Sequence, residues 1–335
     1  MAAEIASTPP TLPAGVPGDA HLAYSFCAYV DGMPDALPAG WTEVWAPTSG
    51  SRRHLKGNYA VLLLAADPQA SPQLTLAIQG TQDLEDVLQD FHVVPQLPFA
   101  PIRDAQIAHG SHHGLHELLE LEGTYQGSTQ SLDSLLKSLP AGSSLLVTGH
   151  SLGGNLASVL APWIAANVAA FGPNQQPLER LPANLTAITF AAPTAGNAAF
   201  AQFLDANPDR YAAHFNRNDV VSNVWAQSGP LQIDNIYGLF PAPGPSPAPA
   251  LIGDVLSRKI NQMASAVPPV SYTQTKGTIF DFLPAVPDPP PIDPPPSDPP
   301  PIDPSPLDPW LWELGYQHNY AYCRHFLGPH GGCKP

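Results

Sequence analysis

The stretch Ser143-Ser144-Leu145-Leu146-Val147-Thr148-Gly149-His150-Ser151-Leu152-Gly153-Gly154-Asn155-Leu156-Ala157-Ser158-Val159-Leu160 constrains the fold more than any other. Its first part is short, apolar and strand-like; its second places Leu156, Val159, Leu160 and Trp163 at helical spacing. Between them, Gly149-His150-Ser151-Leu152-Gly153 has to turn the chain sharply. A serine at the apex of such a strand-to-helix bend brings the two backbones together, and Cβ atoms at positions 149 and 153 would collide. Gly149 and Gly153 remove the collision. The bend leaves the Ser151 hydroxyl above the strand ends and the backbone N–H of Leu152 at a helix N-terminus, where developing negative charge is stabilised. Ser151 is therefore the candidate nucleophile, with His150 completing the turn.

The flanking sequence supplies a sheet for that turn. Strands are expected at Tyr59 to Leu64, Leu74 to Ile78, Leu185 to Phe190 and Tyr211 to Phe215, with a helix over His21 to Val30. The helix that begins at Leu152 extends toward Ala170, with Pro162 expected to kink it or end it early. Strand, helix and strand in alternation predict an α/β fold: a mostly parallel central sheet flanked by helices, with the ligand site at the strands' carboxyl ends. Thr81, Ser151 and Asp219 all fall at such ends.

Composition excludes several classes. Thirteen basic residues against 28 acidic ones give a formal charge of −15, without a basic cluster suited to nucleic acid. No stretch is long and apolar enough to span a membrane, and Met1 to Pro17 lacks the charged and apolar parts of a cleavable secretory signal. The expected location is cytoplasmic, or outside the cell by a route that reads no such signal. Of the three cysteines, Cys323 and Cys333 have the spacing to close a short loop. His109, His112, His113 and His116 cluster on an expected helix, but no third ligand joins His112 and His116, so they read as surface histidines and no metal or cofactor is expected.

A serine hydroxyl attacks a carbonyl only when an imidazole takes its proton, and the imidazole needs a carboxylate to fix its tautomer. Asp219, in Asn218-Asp219-Val220-Val221 just after a strand, is the candidate acid; Asp205, Asp209 and Asp234 compete without that context. Beyond it lie His318, His325 and His330. His318 precedes an amphipathic segment with Tyr322 and Phe326 and is preferred; His325 remains an alternative.

Three insertions complete the reading. In 82–101, Leu84, Val87, Leu88 and Phe91 form an apolar helical face with Asp83 as N-cap, followed by the apolar run Val93 to Phe99. This segment is either a lid with an acyl groove or a surface helix packed on the sheet. In 225–284, Ile252, Val255, Leu256, Ile260 and Met263 mark a helix over Ala250 to Ala266, a second lid or a cap on the core. In 287–309, aspartates at 288, 293, 298, 303 and 308 punctuate an Asp-Pro-Pro-Pro-x repeat, which favours polyproline II and would span roughly 65 to 70 Å extended. The repeat reads as a stiff spacer, with a proline-reading partner or weak Ca²⁺ binding as alternatives.

The ordered set of Gln79-Gly80-Thr81, Gly-His-Ser-Leu-Gly-Gly, Thr189 to Asn197, Asn218-Asp219-Val220-Val221 and a C-terminal histidine resembles the class 3, fungal-lipase-like branch of the α/β-hydrolases. It departs at Gln79, Ala191 and Thr194, where Arg, Gly and Arg are more usual. The resemblance implies one catalytic domain over 21–335 behind an irregular leader at 1–20. It also implies Thr81 as the second oxyanion donor beside Leu152. The implied chemistry is cofactor-free hydrolysis of lipid esters at an oil–water or membrane interface, triacylglycerols first, with phospholipase A1 and short-chain carboxylesterase activity as neighbours. A reading of another class is a hydrolase-like scaffold that binds a partner through the proline repeat.

Overall fold

In a computed structural model, residues 18–33, 36–47, 59–66, 74–80, 92–172, 176–232, 248–282, 314–328 and 333 are described, with backbone alone over 248–256. Along the chain lie α1 (Gly18–Val30), β1 (Trp41–Trp45), β2 (Ala60–Ala65), β3 (Leu74–Ile78), β4 (Gln96–Pro98) and β5 (Gln106–Ala108). They are followed by α2 (His109–Glu120), β6 (Glu122–Tyr125), β7 (Ser128–Ser131), α3 (Leu132–Lys137), β8 (Leu145–His150) and α4 (Leu152–Asn167). Next come β9 (Leu185–Phe190), α5 (Ala198–Asp205), β10 (Tyr211–Asn216), α6 (Val220–Asn223) and α7 (Ala248–Ser265). The last elements are β11 (Thr278–Phe280), a π-helical turn at Tyr316–Tyr320 and α8 (Ala321–Leu327).

A seven-stranded sheet runs β1-β2-β3-β8-β9-β10-β11. The pairings β1–β2 and β2–β3 are antiparallel, and every pairing from β3 to β11 is parallel. Alternation along each strand sends side chains to two cores. Ala60, Leu62, Leu74, Leu76, Leu145, Val147, Leu185 and Ala187 face one core with α2, α3 and α4. Val61, Leu63, Ala77, Leu146, Ile188 and Phe190 face the other, against α1 and α8. Strands buried on both faces need helices on both faces: crossover helices cover one, and α1 and α8, from the two ends of the fold, cover the other.

Several expectations are corrected. Pro162 neither kinks nor ends the helix: α4 runs unbroken to Asn167 with Pro162 inside it. An interior proline costs about 3 kcal/mol. Thirteen of the sixteen α4 residues are buried, and that burial outweighs the cost. The segment 225–284 is not purely helical, because its Thr278–Phe280 pairs with β10 as the edge strand of the main sheet. Within 82–101, the apolar run contains a short strand, Gln96–Pro98, that pairs antiparallel with β5. Helix α1 begins at Gly18, inside the stretch read as an irregular leader. The proline repeat, Thr81 and the proposed lid positions Leu84, Val87, Leu88 and Phe91 lie outside the described residues. Ile252, Val255 and Leu256 fall within α7, their side chains likewise outside the described set.

A third cluster joins α7 to the catalytic end of the sheet. Met263 and Tyr272 pack with Val93, Ala108, Val220, Val224, Trp225 and Leu314, and Leu152 lies against them. Tyr272 donates its hydroxyl to the Val93 carbonyl, and Gln96 donates to the Ser271 carbonyl at 2.7 Å. The C-terminal part of α7 packs beside the elbow. The C-terminal end of the chain is tied back by a Cys323–Cys333 disulfide.

His214 on β10 is 4% exposed, stacked on Phe190 at 5.3 Å and edge-on to Phe326. Burial and the nearby His325 lower its pKa to about 4 from 6.5. The folded chain thus binds this proton less readily than the unfolded chain. The associated stability is fully present above pH 6.5 and is lost as the pH falls through about 4, a change of up to ~3 kcal/mol. In His214→Leu, urea unfolding between pH 7 and pH 4 should show a visibly smaller loss of stability than in the native chain.

Candidate active site

The elbow has the geometry its glycines demand. Ser151 adopts φ 59° and ψ −127°, a left-handed conformation a serine holds only under constraint from its surroundings. A Cβ at Gly149 would lie 2.2 Å from the Gly153 carbonyl oxygen, and one at Gly153 would lie 2.3 Å from the Ile78 carbonyl oxygen. Strand β8, helix α4 and the end of β3 therefore touch backbone to backbone around the serine. The Ser151 side chain caps nothing. Leu152 opens a sixteen-residue helix whose first N–H groups lack intrahelical acceptors, so a positive helix end lies beside the hydroxyl.

Asp219 follows β10 and caps the helical turn α6. Its Oδ1 accepts the Val221 N–H at 2.9 Å, and its Oδ2 accepts the Ser222 hydroxyl at 2.8 Å and the Tyr322 hydroxyl at 3.1 Å. His318 Nδ1 lies 3.0 Å from both carboxylate oxygens. An ionised carboxylate only accepts, so Nδ1 carries the proton and Nε2 is left with its lone pair. Asp219 is fully buried, and Ser151 and His318 are each 1% exposed. Among the described residues, neither Ser151 Oγ nor His318 Nε2 has a hydrogen-bond partner.

His150 ties His318 to the elbow. Its Nε2 donates to the His318 carbonyl at 2.8 Å, and the two rings lie 4.7 Å apart. Burial, reinforced by His318, pushes the His150 pKa well below its ordinary value, so this ring stays neutral. From the other side, Asn216 donates through Nδ2 to the carbonyl and side-chain oxygens of Gln317 at 2.9 and 2.7 Å. The competing residues are elsewhere: His325 stacks on Phe280 at 4.0 Å, and Asp205 accepts the Lys276 N–H at 2.7 Å.

Sequence reasoning did not assign Tyr322, Ser222 or Asn216 to this network. Tyr322 lies one helical turn beyond His318, so both side chains can reach one acceptor. A π-helical turn spans His318 and meets α8 just before Tyr322, the kind of irregularity that re-aims a side chain. The Tyr322 oxygen also accepts the Asn216 N–H at 2.7 Å. Ala191, noted above for standing where glycine is more usual, does take a glycine-like φ of 53°. His112 and His116 lie 4.6 Å apart on α2, and among the described residues no group of three His, Cys, Asp or Glu side chains is placed to hold a metal ion.

Two substitutions test this geometry. Gly153→Ala should unfold at lower denaturant by about 3 kcal/mol or more, because backbone on the far side cannot retreat from the new methyl. Tyr322→Phe removes a bond to a charged group and leaves the buried Asn216 N–H without its acceptor. It should lower stability by about 1.5 to 3 kcal/mol in the same assay.

Residues 75–228 match the family model described as Lipase (class 3). No curated protein matches the chain in sequence. Among solved structures, M37 lipase aligns with 93% of this chain and 92% of its own at 22% identity and a TM-score of 0.63. A lipase from Rhizopus microsporus var. chinensis aligns with 62% of this chain and 67% of its own at 20% identity and a TM-score of 0.43. Rhizomucor miehei triacylglyceride lipase aligns with 60% and 69% at 18% identity and 0.43. The likeness to M37 lipase gives the fold, and the family match covers the end of β3 with Gly80, the elbow and the Asp219 turn; through residues 75–228 the chain is similar to the class 3 lipases, a likeness that supports a lipase-type ester hydrolase.

Proposed function

We propose that the chain hydrolyses triacylglycerols through a Ser151–His318–Asp219 triad. The observation that carries this reading is the His318 imidazole, held by Asp219 on one nitrogen, without a partner among the described residues on the other, and tied by its own carbonyl to the residue before Ser151. In the reaction, Nε2 of His318 takes the Ser151 proton as Oγ bonds to the ester carbonyl carbon. The tetrahedral oxyanion is held by the N–H of Leu152 and by Thr81. Collapse of this intermediate breaks the bond to the alcohol, which leaves with the proton returned by His318. Water, deprotonated by the same imidazole, then releases the fatty acid and restores Ser151.

Asp219 stays ionised and stabilises the imidazolium while it exists. Its three other donors make it a poor candidate to take that proton. Because Ser151 and His318 are buried, substrate reaches them only when the residues above them move aside. That requirement supports a mobile cover at the interface, for which 82–101 and the Ile252, Val255 and Leu256 face of α7 remain the candidates. The Cys323–Cys333 disulfide supports an oxidising, extracellular setting over the cytoplasm.

Hydrolysis of an acyl-ester series, from soluble short chains to emulsified long-chain triacylglycerol and phospholipid, tests the proposal. Native protein should turn over the emulsion faster than dissolved short esters. Ser151→Ala should lose activity by about 10⁴-fold or more, and Asp219→Asn by about 10⁴-fold through the wrong histidine tautomer. Turnover confined to soluble esters would make the chain a carboxylesterase, and preference for phospholipid a phospholipase A1. Partner binding through the proline repeat, with no Ser151-dependent turnover, would leave only the scaffold.

A further inference from the structure

We propose that Asp31 is a positioning residue for the oxyanion side of the site, tethering the end of β3 against the nucleophile turn. The inference rests on the catalytic reading above and concerns a residue outside the triad, the elbow and the segment matched by the family model.

Helix α1 ends at Val30, and the chain turns away through Gly32 at φ 103°. At that end two consecutive residues beyond β3 are caught. Gln79 donates its side-chain amide to the Val30 carbonyl at 3.1 Å, and Gly80 donates its N–H to Asp31 Oδ1 at 3.1 Å. The backbone N–H of Gln79 is held as well, by the Tyr59 carbonyl at 2.8 Å. Gly80 is in turn pressed on the elbow: a Cβ there would lie 2.7 Å from the His150 carbonyl oxygen and 3.1 Å from Ser151 Cβ. The Asp31 tether thus sets where the backbone passes the nucleophile, one residue before the candidate donor Thr81.

The carboxylate holds this place against local preference. It stands just past the C-terminus of α1, the negative end of the helix dipole, and the last turn of α1 contains no basic residue. Burial raises the pKa of Asp31 to about 7, although the Gly80 N–H acts the other way. A residue that breaks two local rules and meets the backbone beside Ser151 is expected where position matters more than stability. An oxyanion donor displaced by a fraction of an ångström loses its effect in the transition state while ground-state binding is hardly changed.

The test measures kcat and KM separately on a soluble short-chain ester for native protein, Asp31→Ala, Asp31→Glu and Asp31→Asn, with Ser151→Ala as the blank. Thermal unfolding and hydrogen exchange at the Gly80 amide are followed in parallel. Asparagine retains an acceptor at the same reach, so Asp31→Asn should keep kcat within about 3-fold and Gly80 protected. Asp31→Ala removes the acceptor and Asp31→Glu pushes it out by one methylene. Each should lower kcat by about 10- to 100-fold with KM within about 2-fold and Gly80 exchanging faster. Should Asp31→Ala fail to fold, the Glu and Asn variants decide alone. Unchanged kcat in the Ala or Glu variant, or an equal loss in the Asn variant, overturns the proposal. A protected Gly80 amide in a native protein without Ser151-dependent turnover overturns the catalytic reading instead, leaving the tether a structural contact.

Discussion

The close backbone crossing at Gly149 and Gly153 is the constraint on which the rest of this molecule depends. Only where neither residue carries a Cβ can β8, α4 and the end of β3 meet, and only there is Ser151 forced to a φ of 59°. Such a conformation costs about 1 to 3 kcal/mol and persists because the surrounding packing over-determines it. The cores on the two faces of the sheet supply that packing: β8 is buried along its whole length, and α4 along most of its own. The strained turn and the extensive burial are one arrangement.

The candidate acid and base are held by a different physics. Hydrogen bonds to a buried carboxylate hold Asp219 against His318. Val221, Ser222, Tyr322 and His318 all donate to it, so its oxygens are satisfied without bulk water. The Tyr322 hydroxyl and the Asn216 side chain link β10 to the C-terminal helix, so the far end of the chain is registered on the sheet by hydrogen bonds. His150 adds the third side, joining that helix to the elbow as a neutral donor.

Local sequence carried the elbow because its requirements are local: two glycines, a serine, an apolar strand before and an apolar helical stripe after. It carried the parallel strands for the same reason, since buried strands in α/β sheets are short apolar runs. It missed β11, whose Thr278–Phe280 is too short for a periodic signal and becomes a strand only because β10 offers an open edge. It also missed the β6–β7 hairpin, whose Glu122–Tyr125 and Ser128–Ser131 are mostly polar. Pro162 misled it because propensity counts the missing N–H and cannot count the packing around the helix.

For the site, the sequence by itself singled out Ser151 as the candidate nucleophile and narrowed the candidate acid and base to short sets, because the chemistry admits few residue types and the chain order of the resembled family admits few positions. Only the tertiary structure brought Asp219 to His318 and sent His325 to Phe280, for these choices depend on how α8 lies across β10 and β11. The same holds for Tyr322, Ser222 and Asn216, ordinary in sequence and specific in space. Gly80 and Asp31 meet only because α1 crosses the sheet at that point. A backbone turn is encoded by neighbours in sequence, whereas a hydrogen-bond network is encoded by neighbours that folding alone creates.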